Sequence, residues 1–248
     1  LLRGKSAMHS LFVRQAIRRV YPKADAIVAV SSGVAQELRE LLGQQTNIHM
    51  IHNPVISPKL HLFANQPVSH PWFADNAPPV LLGVGRLTAQ KDFHTLIKAF
   101  DLIKDQCPAR LIILGEGEQR PLLEQLIRDR HLQDRISLPG FVQNPFAYMS
   151  KSALFILSSA WEGLPTVLIE ALACGTRVVA TDCHSGPREI LQDGRLGELC
   201  EVGNPQALSE AMLRSLATPK TSALNSLHAY TIKGASRNYL HLLKALYD

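Results

Sequence analysis

The chain has 248 residues, enough for one large domain or two modest ones. Its 46% hydrophobic and 19% charged residues are ordinary for a globular protein, and without a run of about 18 apolar residues no transmembrane helix is expected. The formal charge of +5 favours anionic partners weakly, leaving nucleotide diphosphate, anionic lipid and nucleic acid open on that ground alone.

The chain opens on LLRGK, with neither an initiator Met nor a signal-peptide pattern, so a fragment of a longer polypeptide is expected. Residues 1–23 carry Arg3, Lys5, Arg14, Arg18, Arg19 and Lys23 and no acid. Leu11, Phe12, Ala16, Ile17 and Val20 interleave with them at helical spacing, predicting a basic amphipathic helix. Two roles are open to it: peripheral contact with a membrane, or packing on its own domain with a solvated basic face.

Ala26–Val30 reads as a short buried strand, after which Ser31 or Ser32 caps a helix running to about Leu42 and ended by Gly43. Ile48–Ile51 is a further strand, closed by Asn53-Pro54. From 56 to 79 the periodicity vanishes and five of the fifteen prolines cluster, which is linker composition.

A more complete α/β unit is predicted over 80–230, with a last helix over 231–248. Its strands are Val80–Val84, Arg110–Leu114, Ile136–Leu138, Leu154–Leu157 and Arg177–Ala180. Asp92, Pro121, Asn144-Pro145 and Asn204-Pro205 open the helices between and after them, and Gly186-Pro187 marks a turn. Strands alternating with amphipathic helices imply a parallel sheet covered on both faces, whose ligands bind beyond the carboxyl ends of the strands. Gly85-Arg86, Gly115-Glu116, Gly140-Phe141 and Glu162-Gly163 all fall at such ends.

Arg86 and Lys91, five positions apart in a strand-to-helix turn, can clamp two phosphates or be solvated turn cations. Gly83-Val-Gly85 and Gly115-Glu-Gly117 lack the third glycine that a dinucleotide fold requires for close helix–strand packing. The ten histidines form no metal-binding pair, and no carboxylate cluster with metal-ligand spacing occurs. Cys107, Cys174, Cys183 and Cys200 lack CxxC spacing, as expected of reduced thiols in a cytoplasmic protein.

The stretch Ser158–Gly175, SSAWEGLPTVLIEALACG, joins a buried strand to a helix through Gly163 and Pro165, with Gly175 as a left-handed cap. Glu162 falls in the loop and Glu170 inside the helix; were both helical they would project roughly 80° apart. With Glu162 in the loop, both can reach one pocket over the strand ends.

This Glu-x7-Glu string resembles the signature of retaining glycosyltransferases with two Rossmann-like domains, the GT-B fold of glycosyltransferase family 4 (group 1). The segment GVGRLTAQKDF is similar to the family's diphosphate-binding loop, and ADAIVAVSSGVAQEL…IHNPV to the end of its acceptor-side domain. The resemblance covers roughly 24–202. It implies that 1–55 is the remnant of the first domain, lacking the glycine-rich acceptor loop and acceptor-side His, and that 80–230 binds the donor.

By the same resemblance the donor is a nucleotide-diphosphate sugar, most often UDP-linked, and the acceptor a glycan or lipid-linked glycan, with cytoplasmic work at the inner face of the membrane. Gly85, Arg86, Lys91, Gly115, Phe141, Val142, Gly163, Leu164, Pro165, Thr166 and Glu170 would contact the donor. Glu162 would meet the sugar, Glu170 the ribose, and Arg86 and Lys91 the departing diphosphate, with no cofactor and no metal. His184–Ile190 would help to wall the donor site, or Pro187 and Glu189 simply start a helix. A donor-binding half without transferase activity of its own is the alternative. Nucleic acid binding has only the charge behind it, with 6% aromatic residues and no recognisable module.

Overall fold

A computed structural model of the protein describes residues 7–219 and 223–247. The chain builds two units. In the first, α1 (Ala7–Val20) leads to β1 (Ile27–Ala29), α2 (Ser32–Leu42) and β2 (Ile48–Met50), with β1 and β2 paired in parallel. Ser31 is the N-cap of α2, its Oγ accepting from Val34 N, and Gly43 ends the helix at φ +100°. Ile17, Ile27, Ala29, Ala35, Leu38 and Ile48 form the small core of this unit.

The helix expected near the N-terminus is present, but its inward face differs from the expected one. Of Leu11, Phe12, Ala16, Ile17 and Val20, only Ile17 is buried. Leu11, Phe12 and Val20 are 60%, 71% and 60% exposed. Val13, one turn before Ile17, supplies the rest of the packed stripe. Arg3 and Lys5 lie outside the described residues.

Segment 56–79 is not a free linker. It contains α3 (Leu60–Ala64), whose Leu60 is 2% exposed, and a 3₁₀ turn at Pro71–Phe73. Trp72 and Phe73 pack against the core of the second unit, and the Arg110 guanidinium lies over the Trp72 ring. The prolines that erase helical periodicity here also confine the helix to five residues, too short to show in a pattern.

The second unit alternates β3 (Val80–Val84), α4 (Phe93–Ile103), β4 (Arg110–Leu114), α5 (Arg120–Asp129), β5 (Ile136–Gly140), α6 (Pro145–Lys151), β6 (Leu154–Leu157), α7 (Thr166–Ala173), β7 (Val178–Thr181), α8 (Pro187–Ile190), β8 (Glu198–Cys200) and α9 (Pro205–Ala217). The described strands form one parallel six-stranded sheet in the order β5-β4-β3-β6-β7-β8. Successive strand residues serve opposite faces. Leu81, Leu111, Ile113, Leu154 and Ile156 join α4, α5 and α9 in one core. Leu82, Ile112, Leu114, Phe155 and Leu157 join α6, α7 and Trp72 in the other. α10 (Ile232–Tyr247) follows, and just before it Ile56 pairs with Thr231, tying the C-terminal segment to the start of segment 56–79.

The ends of β3 and β4 come unusually close. A Cβ added to Gly115, which has φ +139°, would lie 1.9 Å from the Gly85 carbonyl oxygen. Only glycine permits both that dihedral and that approach. Gly115→Ala is therefore expected to destabilise the protein by at least about 3 kcal/mol in urea unfolding. A loss below about 0.5 kcal/mol would show that the two strand ends separate freely.

Candidate active site

The strand order reverses at the β3–β6 pair: β4 and β5 extend the sheet to one side, β7 and β8 to the other. The loops leaving β3 and β6 turn away from each other there, opening the crevice in which α/β sheets bind ligands. The two loops are laced together at their bases. Ser158 Oγ donates to Lys91 O at 2.7 Å, Ala160 N to Gln90 O at 2.8 Å, and Gln90 Nε2 to Trp161 O at 3.0 Å. Asp92, at φ +45°, caps α4 by accepting from Thr95 N and Thr95 Oγ1, which fixes the end of the first loop.

Across the crevice Lys91 Nζ meets Glu162 Oε1 at 2.5 Å, with side chains only 15% and 7% exposed. Ser159 Oγ donates to the same oxygen at 2.7 Å. Gly85 gives the Lys91 stem its path, since a Cβ there would stand 3.2 Å from three of its carbons. Arg86 is exposed, and its side chain has no hydrogen-bond or ion-pair partner among the described residues. In the same loop, buried Thr88 Oγ1 also lacks a partner.

Beside this pair lies an apolar pocket of about 350 Å3 lined by Val84, Gly85, Arg86, Leu114, Gly115, Glu116, Phe141, Val142 and Pro145. It gathers Gly85, Arg86, Gly115, Phe141 and Val142, five of the residues expected from the sequence. Phe141 stands 79% exposed at its rim. Glu116 is held there by Arg120, whose Nε and Nη2 each donate to it at 2.8 Å. The hydrogen bonds that Arg120 donates to Glu116 and then to Glu124 raise its pKa.

Gly163, Leu164, Pro165, Thr166 and Glu170 do not line that pocket. Gly163 to Thr166 form the entry to α7, whose N-cap Pro165 supplies no side-chain hydrogen bond, so the first turn is left open to an external acceptor. Gly175 follows α7 at φ +74°, as expected. Glu170 lies inside α7 with no hydrogen-bond partner for its carboxylate among the described residues, and burial raises its carboxyl pKa. Glu162 and Glu170 thus occupy opposite electrostatic situations, one ion-paired and one desolvated alone.

The loop after β7 brings in residues whose role the sequence pattern did not disclose. Cys183 is buried there, its thiol pushed up to about 11 by burial and then by the negative charge of Glu162. Ser185 Oγ donates to Gly163 O at 2.9 Å. Glu189 Oε2 accepts from Ser32 N at 2.9 Å and Ser32 Oγ at 2.7 Å, and its Oε1 accepts from His52 at 2.7 Å. Burial alone would raise its pKa, but the hydrogen bonds from His52 and Ser32 hold it below the ordinary value. Ser32, His52 and Glu189 are too far apart in sequence for any spacing rule to join them.

Glu170 yields a test. Its folded pKa lies above the unfolded one, so its ionisation destabilises the fold above the raised value. That penalty disappears as pH falls through the raised value into the ordinary carboxyl range. Glu170→Gln is expected to raise Tm by about 2–4 °C at pH 7.5 and to leave it unchanged near pH 4. An equal effect at both pH values would mean that the carboxylate is not penalised in the fold.

A family model described as Glycosyl transferases group 1 matches residues 68–233, and one described as Glycosyltransferase Family 4 matches residues 2–56. The chain is 34% identical over 223 residues to N-acetylgalactosamine-N,N'-diacetylbacillosaminyl-diphospho-undecaprenol 4-alpha-N-acetylgalactosaminyltransferase of Campylobacter jejuni, covering 87% of this chain and 57% of that one. It is 28% identical over 197 residues to a lipopolysaccharide core biosynthesis glycosyltransferase of Rhizobium meliloti, covering 79% and 55%. The chain spans about half the length of the curated relatives it matches. Among solved structures, Anabaena HepE in complex with UDP superposes with a TM-score of 0.82 at 21% identity, covering 97% of this chain and 70% of that one. A Staphylococcus aureus TarM variant in complex with Fondaparinux, alpha-GlcNAc-glycerol and UDP gives 0.76 at 20%, covering 92% and 45%. With the parallel sheet and its switch-point crevice, these matches make the chain a member of the group 1 glycosyltransferases of the GT-B fold.

Proposed function

We propose that this chain carries the donor half of a retaining, metal-independent glycosyltransferase that moves a hexosyl or N-acetylhexosaminyl group from a UDP-sugar to a glycan or lipid-linked acceptor. The observation that carries this reading is the convergence of four features on one crevice. These are an unpaired Arg86, the Lys91–Glu162 pair, the uncapped start of α7 and an apolar pocket.

In this reading Gly115, Phe141 and Val142 surround the base, whose flat apolar faces suit the pocket. Glu170 accepts from ribose hydroxyls, which would give its desolvated carboxylate the donors it lacks. The amides of Gly163, Leu164 and Thr166 and the Arg86 and Lys91 cations face the diphosphate and stabilise the charge that builds on it as the sugar departs. Those two cations take the place of a metal. Glu162 touches the sugar, and front-face attack keeps the anomeric configuration without an enzyme nucleophile.

HepE is described in complex with UDP, and the Campylobacter relative is named for a diphospho-undecaprenol acceptor. Both support the choice of donor and acceptor. The exposed Leu11, Phe12 and Val20, set among Arg14, Arg18 and Arg19, support a peripheral contact of 1–23 with an anionic membrane surface. Because the chain spans about half the length of its curated relatives, a donor-binding half without independent turnover is the second reading.

Calorimetric titration tests the site. Arg86→Ala is expected to weaken UDP binding by about 10- to 150-fold, the worth of one charge-assisted contact, and uridine binding by less than twofold. Equal weakening of both ligands would make Arg86 structural. UDP affinity is also expected to be the same in excess EDTA as with Mg2+; a tenfold loss in EDTA would overturn metal independence.

A further inference from the structure

The Glu189 carboxylate joins the two units beside the candidate active site, and the Glu37 carboxylate of α2 pairs with His184 alongside it. Glu189, in α8, is half-buried and accepts from Ser32 N, Ser32 Oγ and His52 Nε2 at 2.7–2.9 Å. An ionised carboxylate only accepts, so His52 Nε2 carries the proton of this bond. The His52 ring lies edge-on to buried Tyr230 at 4.6 Å, and Tyr230 O accepts from Ile56 N at 2.9 Å. The start of α2, the segment leaving β2, α8 and the approach to α10 therefore meet at one point.

A hydroxyl chain runs from that point into the catalytic loop. Ser185 Oγ has one proton and gives it to Gly163 O, so the 2.9 Å contact between Ser31 and Ser185 must have Ser31 as donor. Ser31 Oγ in turn accepts from Val34 N. The result is a directed relay: Val34 N–H to Ser31, Ser31 to Ser185, Ser185 to Gly163 O. Gly163 directly follows Glu162. The fit allows no slack, since a Cβ on Gly33 would lie 2.6 Å from Ser185 Oγ, and one on Gly186 2.4 Å from Pro165 Cδ.

We propose that Glu189 is a positioning residue: it clamps the start of α2 onto the second unit, and the serine relay thereby fixes the Glu162–Gly163 loop for transfer. A junction needing only cohesion would be at least as stable with an apolar contact, because desolvating a carboxylate is costly. What the carboxylate adds is direction, binding one helix start through both a backbone amide and a hydroxyl. The catalytic consequence rests on the transferase reading; the mechanical one does not.

Trp161, next to Glu162, reports on the loop. A Trp72→Phe background leaves it as the sole tryptophan of the 248-residue chain. Glu189→Gln, which preserves shape, and Ser185→Ala, which cuts the relay without touching Glu189, are each expected to raise the acrylamide quenching constant of Trp161 at least twofold. Far-UV dichroism should stay unchanged, and UDP affinity within threefold. Where Glu189→Gln does not fold, Ser185→Ala and Ser32→Ala carry the same test. In a transfer assay, kcat should fall about tenfold with the donor KM unchanged. Folded variants with unaltered Trp161 quenching would overturn the proposal. Failure of the parent chain to bind UDP would instead overturn the donor-site reading, with the quenching result still deciding the clamp.

Discussion

The Lys91–Glu162 ion pair spans the crevice that the reversal of strand order creates, and the arrangement of the site follows from it. Two charges largely withdrawn from water are held together favourably only when their geometry is tight and their remaining valences are met. Here Ser159 shares the Glu162 oxygen, while Ser158, Ala160 and Gln90 fasten the two loops behind the pair. With Lys91 engaged, the Arg86 side chain lining the pocket is left without a partner among the described residues. Two basic residues five apart in sequence therefore hold different positions, one paired with Glu162 and one open to a ligand.

The second unit was highly legible because its signals are local. Apolar runs marked strands, and Asp92, Asn144 and Asn204 act as helix caps through their own side chains. β7 lies one residue from its expected span, and β5 continues to Gly140 because Leu114 pairs with Gly140 after a register shift. What sequence could not show depends on distant partners. The inward face of α1 is decided by what α2 presents to it, and the packing of Trp72 by Arg110 and the second core. Glu189 read as part of a donor-site wall or of a helix start, and neither reading placed residues 32 and 52 beside it.

The two halves of the site also differ in how they are held. The pocket around Phe141 and Val142 is built on strand ends, whose positions are set by two packed cores. The loop carrying Glu162 is instead fastened from both sides, by Lys91 and Gln90 in its own unit and by Ser185, which leans on α2. A rigid half can select a ligand while the other half follows the relation between units. Such a division suits chemistry in which binding and reaction make separate demands on geometry.

Buried Cys183 sits under the influence of the Glu162 charge, with its thiol pushed up to about 11. At pH 7 only about one such thiol in ten thousand is ionised, and the thiolate is the form that attacks an electrophile. This sulfur is thus kept chemically silent first by its burial and then by the charge of Glu162. A sugar activated there would meet no competing attack from this thiol, and the protein would not be trapped as its own glycosylated by-product.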